Sequence, residues 1–310
     1  MPTKRLLVTY PHGFCSGVTR AVAAAEAAVS RYASPVYGLH EIVHNAQVIA
    51  ALGARGLHVV ERLDDIPTGA VVLFSAHGVS PAIREESCRR QLRIIDATCP
   101  FVAKVHREVL QFVAEDCDVV CIGHRTHAEV IGIVGEAPDH VLVVENESEA
   151  WQVHPADPNR VGVVSQTTLT PELTDGVLAI LRTRFPHLRH PLHHDICYAT
   201  RNRQQAVRVL AAQVELLLVL GSPNSSNSRR LVETARQAGC PAQLIGTGTE
   251  LAGVPLENIQ ILGIASGAST PESFLQELLT ALARRGFPTV EPLYAVPENT
   301  HAFRLPPMPE

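Results

Sequence analysis

The sequence predicts an α/β fold built from three similar units with small parallel sheets. Strand-sized apolar runs alternate with helical patterns along the chain, which is typical of βα units and parallel sheets. Three of the seven cysteines, Cys15, Cys99 and Cys197, each stand just before a predicted helix. The chain has 310 residues, so three repeats of roughly 85–100 residues fit its length.

The first predicted unit covers residues 1–96. A strand at Leu6–Tyr10 leads to Cys15, and an alanine-rich helix follows at Arg20–Ser30. A later strand, Val71–Phe74, ends in the residues SAHG. Open α/β sheets bind ligands beyond the carboxyl ends of their strands, so these polar residues are candidates for a binding site.

The second unit, residues 97–193, repeats this order. Cys99 precedes the helical pattern Val102–Ala114, and a strand at Asp118–Ile122 ends in the residues GH. Another strand, Val161–Val164, ends in SQTT. Polar motifs therefore follow the strand ends in this unit as well.

The third unit, residues 194–285, has the same elements. Cys197 precedes the helical pattern Asn202–Ala212, and the strand Glu215–Leu220 ends in GS. The strand Ile261–Ala265 ends in SGAS. If the strand ends of the three units point inward, the three cysteines meet at one centre; the alternative is three thiols that pack in three separate cores. The matched surroundings favour a common centre.

The proline-rich remainder, residues 286–310, is expected to fold back on the body.

Composition restricts the class of the protein further. The net charge of −5 disfavours a nucleic-acid partner. The longest apolar runs are strand-sized and the run Leu6–Val8 is too short for a signal peptide, so no membrane partner and a cytoplasmic location are predicted.

Lysine is unusually rare in this chain. Only Lys4 and Lys104 occur among the 26 basic residues, and no G-x-x-x-x-G-K-S/T motif is present. A P-loop nucleotide enzyme is therefore excluded. A Schiff-base enzyme is improbable, because Lys104 is its only candidate.

Three cysteine thiolates suit a soft metal or an iron–sulfur cluster. A zinc site with three cysteines remains open, because ligand type alone does not separate the two. The other cysteines do not belong to the repeat and receive no chemical role. Cys117 and Cys121 are predicted to be buried, Cys88 to be half exposed, and Cys240 to follow a turn.

Histidines and hydroxyl groups near the strand ends indicate an anion site. His44, His77, His124 and His127 lie near predicted strand ends. The run Ser222–Ser228 precedes a helical pattern at 229–237, and its side chains and helix N-terminus offer donors to a phosphate. An ordinary N-cap loop is the alternative for this run, and also for residues 266–269 before the helical pattern 271–283.

Glu129 is the carboxylate within these motifs. It could act as a general acid if it is shielded from water. It could also cap the helix-like segment Val130–Val134, and the two interpretations are compatible.

Nine ordered motifs between residues 11 and 272 resemble those of the 4-hydroxy-3-methylbut-2-enyl diphosphate reductases, the IspH or LytB family. The resemblance implies a trefoil of three α/β units around a central 4Fe–4S cluster. It also implies reductive dehydroxylation to isopentenyl and dimethylallyl diphosphate, the last step of the non-mevalonate isoprenoid pathway. The motifs are PHGFCSGVTRAV, EIVHN, FSAHGVS, DATCPFVAKVH, GHRTHAEVIG, SQTTL, DICYATRNRQ, GSPNSSNSRRL and SGASTPE.

The resemblance assigns a role to each matching residue. Cys15, Cys99 and Cys197 would hold the cluster. Glu129 and Thr167 would handle the proton and the allylic hydroxyl, and reduced ferredoxin or flavodoxin would supply the electrons. The substrate-binding residues would be His44, His77, His127, Thr168, Ser225, Ser226, Asn227 and Ser269.

The chain departs from the family pattern at four positions outside these roles, His12, Ala128, Arg201 and Pro223. Two other classes of protein remain as alternatives. A cluster enzyme of the quinolinate synthase type has three cysteines but acts on carboxylates. A nonenzymatic iron–sulfur redox sensor would not need the anion donors.

Overall fold

The computed structural model describes residues 4–33, 35–191, 194–297 and 302–310. The strands, in chain order, are β1 Arg5–Tyr10, β2 Val36–Leu39, β3 Leu57–Val60, β4 Val71–Phe74, β5 Arg93–Asp96, β6 Asp118–Ile122, β7 Val141–Val144, β8 Val161–Ser165, β9 Leu216–Leu220, β10 Ala242–Ile245, β11 Ile261–Ser266 and β12 Val290–Tyr294. They form three sheets with parallel pairing. The predicted α/β class with three small parallel sheets is confirmed.

Helices connect the strands in the way that parallel pairing requires. They are α1 Ser16–Arg31, α2 Ala46–Gly53, α3 Pro81–Arg89, α4 Pro100–Ala114, α5 Ala128–Glu136, α6 Glu147–Gln152, α7 Pro171–Arg184, α8 Tyr198–Ala211, α9 Ser226–Gln237 and α10 Glu272–Arg284. Short 3₁₀ turns lie at Leu63–Asp65 and Glu250–Gly253. Within the described ranges, no helix has both the length and the apolar character needed to cross a membrane.

The chain divides into two compact units. The five-stranded unit takes its residues from 1–16, 44–46 and 198–302. The two-sheet unit takes its residues from 17–43, 47–197 and 303–310. Each unit has its own apolar core, so each is described separately.

The five-stranded unit has the strand order β10-β9-β11-β1-β12. Leu6, Leu7 and Val8 are at most 4% exposed, so β1 is apolar on both faces and pairs with a strand on each side. Parallel sheets bury such strands between helical layers. β1 belongs to the predicted unit 1–96, but it pairs with strands from residues 261–294. The boundaries of the predicted units stay predictions.

The predicted tail contains one strand and one returning segment. β12 lies at the edge of the five-stranded sheet, where a residue such as Pro292 is tolerated. In the two-sheet unit, the carbonyl of Arg304 accepts from Arg20 Nε at 2.8 Å. The carbonyl of Pro309 accepts from the Tyr32 hydroxyl at 2.5 Å. These contacts hold residues 303–310 against that unit.

The two-sheet unit contains the orders β3-β2-β4-β5 and β7-β6-β8. Helix α4 packs on β6 and β8 through an apolar face that includes Val105, Val109 and Phe112. One strand in each sheet of this unit leads into polar residues. Ser75 follows β4 and Ser165 ends β8, so the strand ends position the candidate site residues.

Candidate functional site

The cysteines of the repeat stand directly before α1, α4 and α8, as predicted. Each cysteine N–H donates to a carbonyl just beyond the end of a strand. Cys15 donates to Ala268 at 3.0 Å, Cys99 to Ala76 at 3.0 Å and Cys197 to Thr167 at 3.1 Å. The same hydrogen bond thus recurs three times and fixes each cysteine beside a polar motif.

These three thiols differ from the other cysteines in their surroundings. They are half-buried and form no disulfide, and each lies at the N-terminus of a helix. Cys117, Cys121 and Cys240 are instead buried, and Cys88 is exposed. Burial raises the pKa of the Cys117 and Cys240 thiols. The buried positions predicted for Cys117 and Cys121 are confirmed.

The five-stranded unit gathers donors at the N-terminus of α9. Ser225 is the N-cap and accepts from the Ser228 N–H at 3.3 Å. Asn227 is 5% exposed, and its Oδ1 accepts from the Ala268 N–H at 2.9 Å. Asn227 Nδ2 is buried and has no hydrogen-bond partner among the described residues. A buried donor without a partner is costly, so this amide indicates a place for an acceptor ligand.

His44 belongs to the same group although it is distant in sequence. Its carbonyl accepts from Ser269 Oγ at 3.0 Å, and the Ala46 N–H donates to Ser222 Oγ at 3.3 Å. Ser226 is the first residue of α9 and is buried. The structure therefore places all the predicted binding residues of this unit around the end of one sheet.

The two-sheet unit brings His77 and His127 together. Their rings are 5.7 Å apart at the centroids and nearly perpendicular. His127 caps α5, because its Nδ1 accepts from the Glu129 N–H at 3.2 Å. The ring proton of neutral His127 is therefore assigned to Nε2, which can donate to an anion. Ala128 occupies the first helical position, where proline is also favoured.

Glu129 is the most deeply buried titratable group among the predicted site residues. It is 1% exposed. Its Oε1 accepts from the Thr167 N–H at 2.7 Å and its Oε2 accepts from Thr167 Oγ1 at 3.0 Å. Thr168 is half-buried and accepts from Gln166 Nε2 at 2.8 Å. The N-cap of α5 is His127 and not Glu129, so the capping interpretation of Glu129 is wrong.

Burial raises the pKa of Glu129 to about 7, because the charged carboxylate loses its hydration. The two hydrogen bonds from Thr167 oppose this rise, and the charge of Asp195 adds to it. Near neutral pH the carboxyl group is therefore partly protonated. That property is required of a general acid.

This raised pKa predicts that Glu129 destabilises the fold as the pH rises. The folded chain binds the proton more tightly than the unfolded chain, whose value is near 4.5. The cost is absent below about pH 4.5 and grows to about 3 kcal/mol above about pH 7. We expect Glu129→Gln to remove it, so that the variant gains stability relative to the original chain at about pH 8 but not at about pH 4.5.

Urea unfolding of the two full-length proteins at both pH values measures this difference. Glu145→Gln is the matched control, because Glu145 is half exposed and its hydrogen bond from the Arg125 backbone N–H lowers its pKa. Glu145→Gln should instead lower the free energy of unfolding at about pH 8. An equal free energy of unfolding for the Glu129 pair at about pH 8 would contradict a buried, titrating Glu129.

Two buried side chains that were not predicted as site residues also form hydrogen bonds in the two-sheet unit. Asp195 is buried, and its Oδ2 accepts from the Ser165 N–H at 2.8 Å. Gln166 is fully buried, and its Oε1 accepts from the His124 N–H at 3.1 Å. Within either unit, the described residues form no group of three His, Cys, Asp or Glu side chains arranged to hold a metal ion.

Known proteins resemble this chain over nearly its whole length. A family model described as LytB protein matches residues 6–283. Relatives from Streptomyces coelicolor and Mycolicibacterium vanbaalenii are each 46% identical over 98% of this chain and 90% of their own. Both are named 4-hydroxy-3-methylbut-2-enyl diphosphate reductase.

Two solved structures have a similar fold. The E-1-hydroxy-2-methyl-but-2-enyl-4-diphosphate reductase of Plasmodium falciparum has a TM-score of 0.95 and 36% identity, covering 98% of this chain and 96% of its own. An (E)-4-hydroxy-3-methyl-but-2-enyl diphosphate reductase, described as the terminal enzyme of the non-mevalonate pathway, has a TM-score of 0.65 and 31% identity. It covers 91% of this chain and 99% of its own. The chain therefore belongs to the LytB family of 4-hydroxy-3-methylbut-2-enyl diphosphate reductases.

Proposed function

We propose that the chain reduces 4-hydroxy-3-methylbut-2-enyl diphosphate to isopentenyl diphosphate and dimethylallyl diphosphate. The observation that carries the proposal is Glu129, a buried carboxyl group bonded twice to Thr167 with a pKa near 7. The reaction breaks the allylic C–O bond and releases water. It consumes two electrons and two protons, so it needs a proton source beside the departing oxygen.

Glu129 and Thr167 supply that proton in the proposal. The Thr167 hydroxyl donates to Glu129 Oε2 in the structure. When Glu129 is protonated, the direction of this bond can reverse, and the Thr167 hydroxyl can then donate to the substrate oxygen. Protonation turns hydroxide, a poor leaving group, into water.

Each unit offers neutral donors and imidazoles as candidate ligands for the diphosphate. Ser225, Ser226, Asn227, Ser269 and His44 come from the five-stranded unit. His77, His127 and Thr168 come from the two-sheet unit. The buried Asn227 amide and the helix N-terminus beside it both favour an anion. Anchoring the diphosphate would convert an encounter between molecules into an oriented reaction.

The cysteines fit a 4Fe–4S cluster in their chemistry. Cys15, Cys99 and Cys197 are half-buried cysteines at helix N-termini, and cysteine sulfur is the ligand that holds iron in such clusters. When bound, the cluster would supply electrons singly and one Lewis-acidic iron without a protein ligand. We propose reduced ferredoxin or flavodoxin as the donor of those electrons.

Two measurements test the function. After anaerobic purification, iron and acid-labile sulfide should be present together, whereas zinc alone would contradict the cluster. With a chemical reductant, the chain should convert the allylic diphosphate to both products. No product from a fully loaded chain would overturn the proposed activity and leave the redox-sensor alternative.

Substitution of Asn227 tests the diphosphate site separately. Asn227→Asp keeps the acceptor for the Ala268 N–H but replaces the buried donor by a like charge. We expect substrate binding to weaken by at least about 100-fold, which corresponds to about 3 kcal/mol. A binding titration with the loaded chain measures this effect.

Asn146→Asp is the matched control for this substitution. Asn146 is the N-cap of α6 and accepts from the Glu149 N–H at 3.0 Å. Aspartate is an equally good N-cap residue, so binding should remain unchanged. Equal affinity in both variants would show that Asn227 does not contact the diphosphate.

A further inference from the structure

Lys104 makes contacts that the proposed reaction does not explain. Its Nζ lies 2.8 Å from Asp195 Oδ1 and 2.8 Å from Glu108 Oε1. Its side chain is 28% exposed, whereas that of Asp195 is 3% exposed. A buried carboxylate requires a counter-ion, and Lys104 supplies a positive charge to Asp195. Arginine provides nearly every other basic group of the chain.

The pair joins segments that are remote in sequence. Lys104 lies in α4, which begins immediately after Cys99. Asp195 lies two residues before Cys197. An ion pair at 2.8 Å therefore ties the helix that follows one proposed cluster ligand to the segment that ends in another.

The second oxygen of Asp195 extends this network. It accepts from the N–H of Ser165 at the end of β8. Two residues further on, Thr167 donates to Glu129 and its carbonyl accepts from the Cys197 N–H. Asp195 therefore forms an ion pair with Lys104 of α4 and accepts a hydrogen bond from Ser165, two residues before Thr167.

We propose that Lys104 is a positioning residue that holds Cys99 and Cys197 in the spacing that a cluster requires, through its ion pair with Asp195. The inference rests on the proposed function, because it takes these two cysteines as cluster ligands. It adds that the metal-binding geometry of the two-sheet unit depends on a charge that contacts neither the thiols nor the substrate.

Iron retention by the loaded protein tests this proposal without an activity assay. Lys104→Met keeps the length of the side chain but removes its charge. Asp195→Asn keeps an acceptor for Ser165 but removes the negative partner. We expect each variant to lose iron to a chelator at least about tenfold faster than the original chain, the usual effect of removing a group that orients a metal ligand.

Two control variants separate this effect from general damage. Lys4→Met removes the other lysine, whose Nζ donates to the Leu256 carbonyl at 2.6 Å. Glu108→Gln leaves the contact between Lys104 and Asp195 in place. Both should lose iron at the original rate.

The double variant Lys104→Met/Asp195→Asn separates positioning from folding. Removing both charges leaves no uncompensated carboxylate at position 195, while Glu108 lacks Lys104 in the double variant just as it does in Lys104→Met. The melting temperature of the double variant should therefore exceed that of Lys104→Met and return towards that of the original chain. Its iron loss should stay fast, because the two segments are no longer tied. If the melting temperature and the rate of iron loss both return to those of the original chain, the proposal would be overturned, because the ion pair would then contribute to folding alone.

The scarcity of lysine allows the ion pair itself to be checked. Burial opposes the charge of Lys104, but its hydrogen bonds to Asp195 and Glu108 outweigh burial and raise its pKa. Acetylation needs the neutral amine, so Asp195→Asn should speed acetylation of Lys104 and leave Lys4 unchanged. Mass spectrometry resolves the two sites. An unchanged rate at Lys104 would contradict the pair.

The results also distinguish failure of this inference from failure of the proposed function. An original chain that holds no iron after reconstitution would overturn both. If the original chain binds iron and Lys104→Met loses it at the same rate, only the positioning role of Lys104 would be overturned.

Discussion

Replacing any one of Cys15, Cys99 and Cys197 by serine is expected to abolish both the cluster and turnover. A hydroxyl group is a poor substitute for a thiolate ligand of iron. Each cysteine occupies the same position, with its N–H bonded to a strand-end carbonyl, so the three substitutions should be equally severe. Iron and acid-labile sulfide per chain, measured after anaerobic reconstitution, give the result directly.

Cys88 and Cys240 provide the controls for this experiment. Cys88 is exposed and Cys240 is buried, so the pair covers both environments. Cys88→Ser and Cys240→Ser should bind as much iron as the original chain. Equal iron in all five variants would contradict the assignment of the three repeated cysteines.

The elements that the sequence predicts correctly are those with a clear local pattern of apolar and polar residues. The strands Val71–Phe74 and Asp118–Ile122 have the bounds that their apolar runs predict. The helix that follows each repeated cysteine was also predicted, because helix N-termini and strand ends leave local polar signals. The same signals located the candidate residues of the anion site.

Elements with weak periodicity were missed. Residues 84–93 are a charged stretch in the sequence, but much of this stretch lies in the helix α3, capped by Ser80. Ser87 is the one buried residue of that helix, so it lacks the apolar stripe that marks a helix in sequence. The four-residue strands β3 and β7, neither of which is buried along its whole length, are also absent from the sequence prediction.

Contacts between distant segments were beyond any local pattern. The pairing of β1 with β12 joins residues more than 280 positions apart. The bond of Lys104 to Asp195 spans 91 positions. From the sequence, acid catalysis by Glu129 could be predicted only on the condition that the side chain is buried. That burial depends on Thr167, which follows a strand distant from Glu129 in sequence. Tertiary packing supplies this information.

Glu129→Gln is expected to lower turnover by at least about 100-fold while the cluster is retained. General acid catalysis typically contributes about 10²–10⁴-fold to a rate. Glutamine keeps the shape and can still bond to Thr167, but it cannot release a proton. Other residues hold the diphosphate, so substrate binding should stay within about tenfold of the original. Steady-state turnover and a binding titration, performed on the same loaded protein, measure the two effects.

The pH dependence of turnover also tests whether Glu129 acts in its protonated form. Its pKa near 7 means that the protonated fraction falls about tenfold per pH unit above that value. Turnover by the original chain should decline with it, and the residual turnover of Glu129→Gln should lack that decline.

His127→Phe supplies the contrast, because it removes an anion donor and should weaken binding as well as turnover. Near-normal turnover in Glu129→Gln would mean that the proton comes from water or from the diphosphate itself. In that case the buried carboxyl group would serve only to hold Thr167.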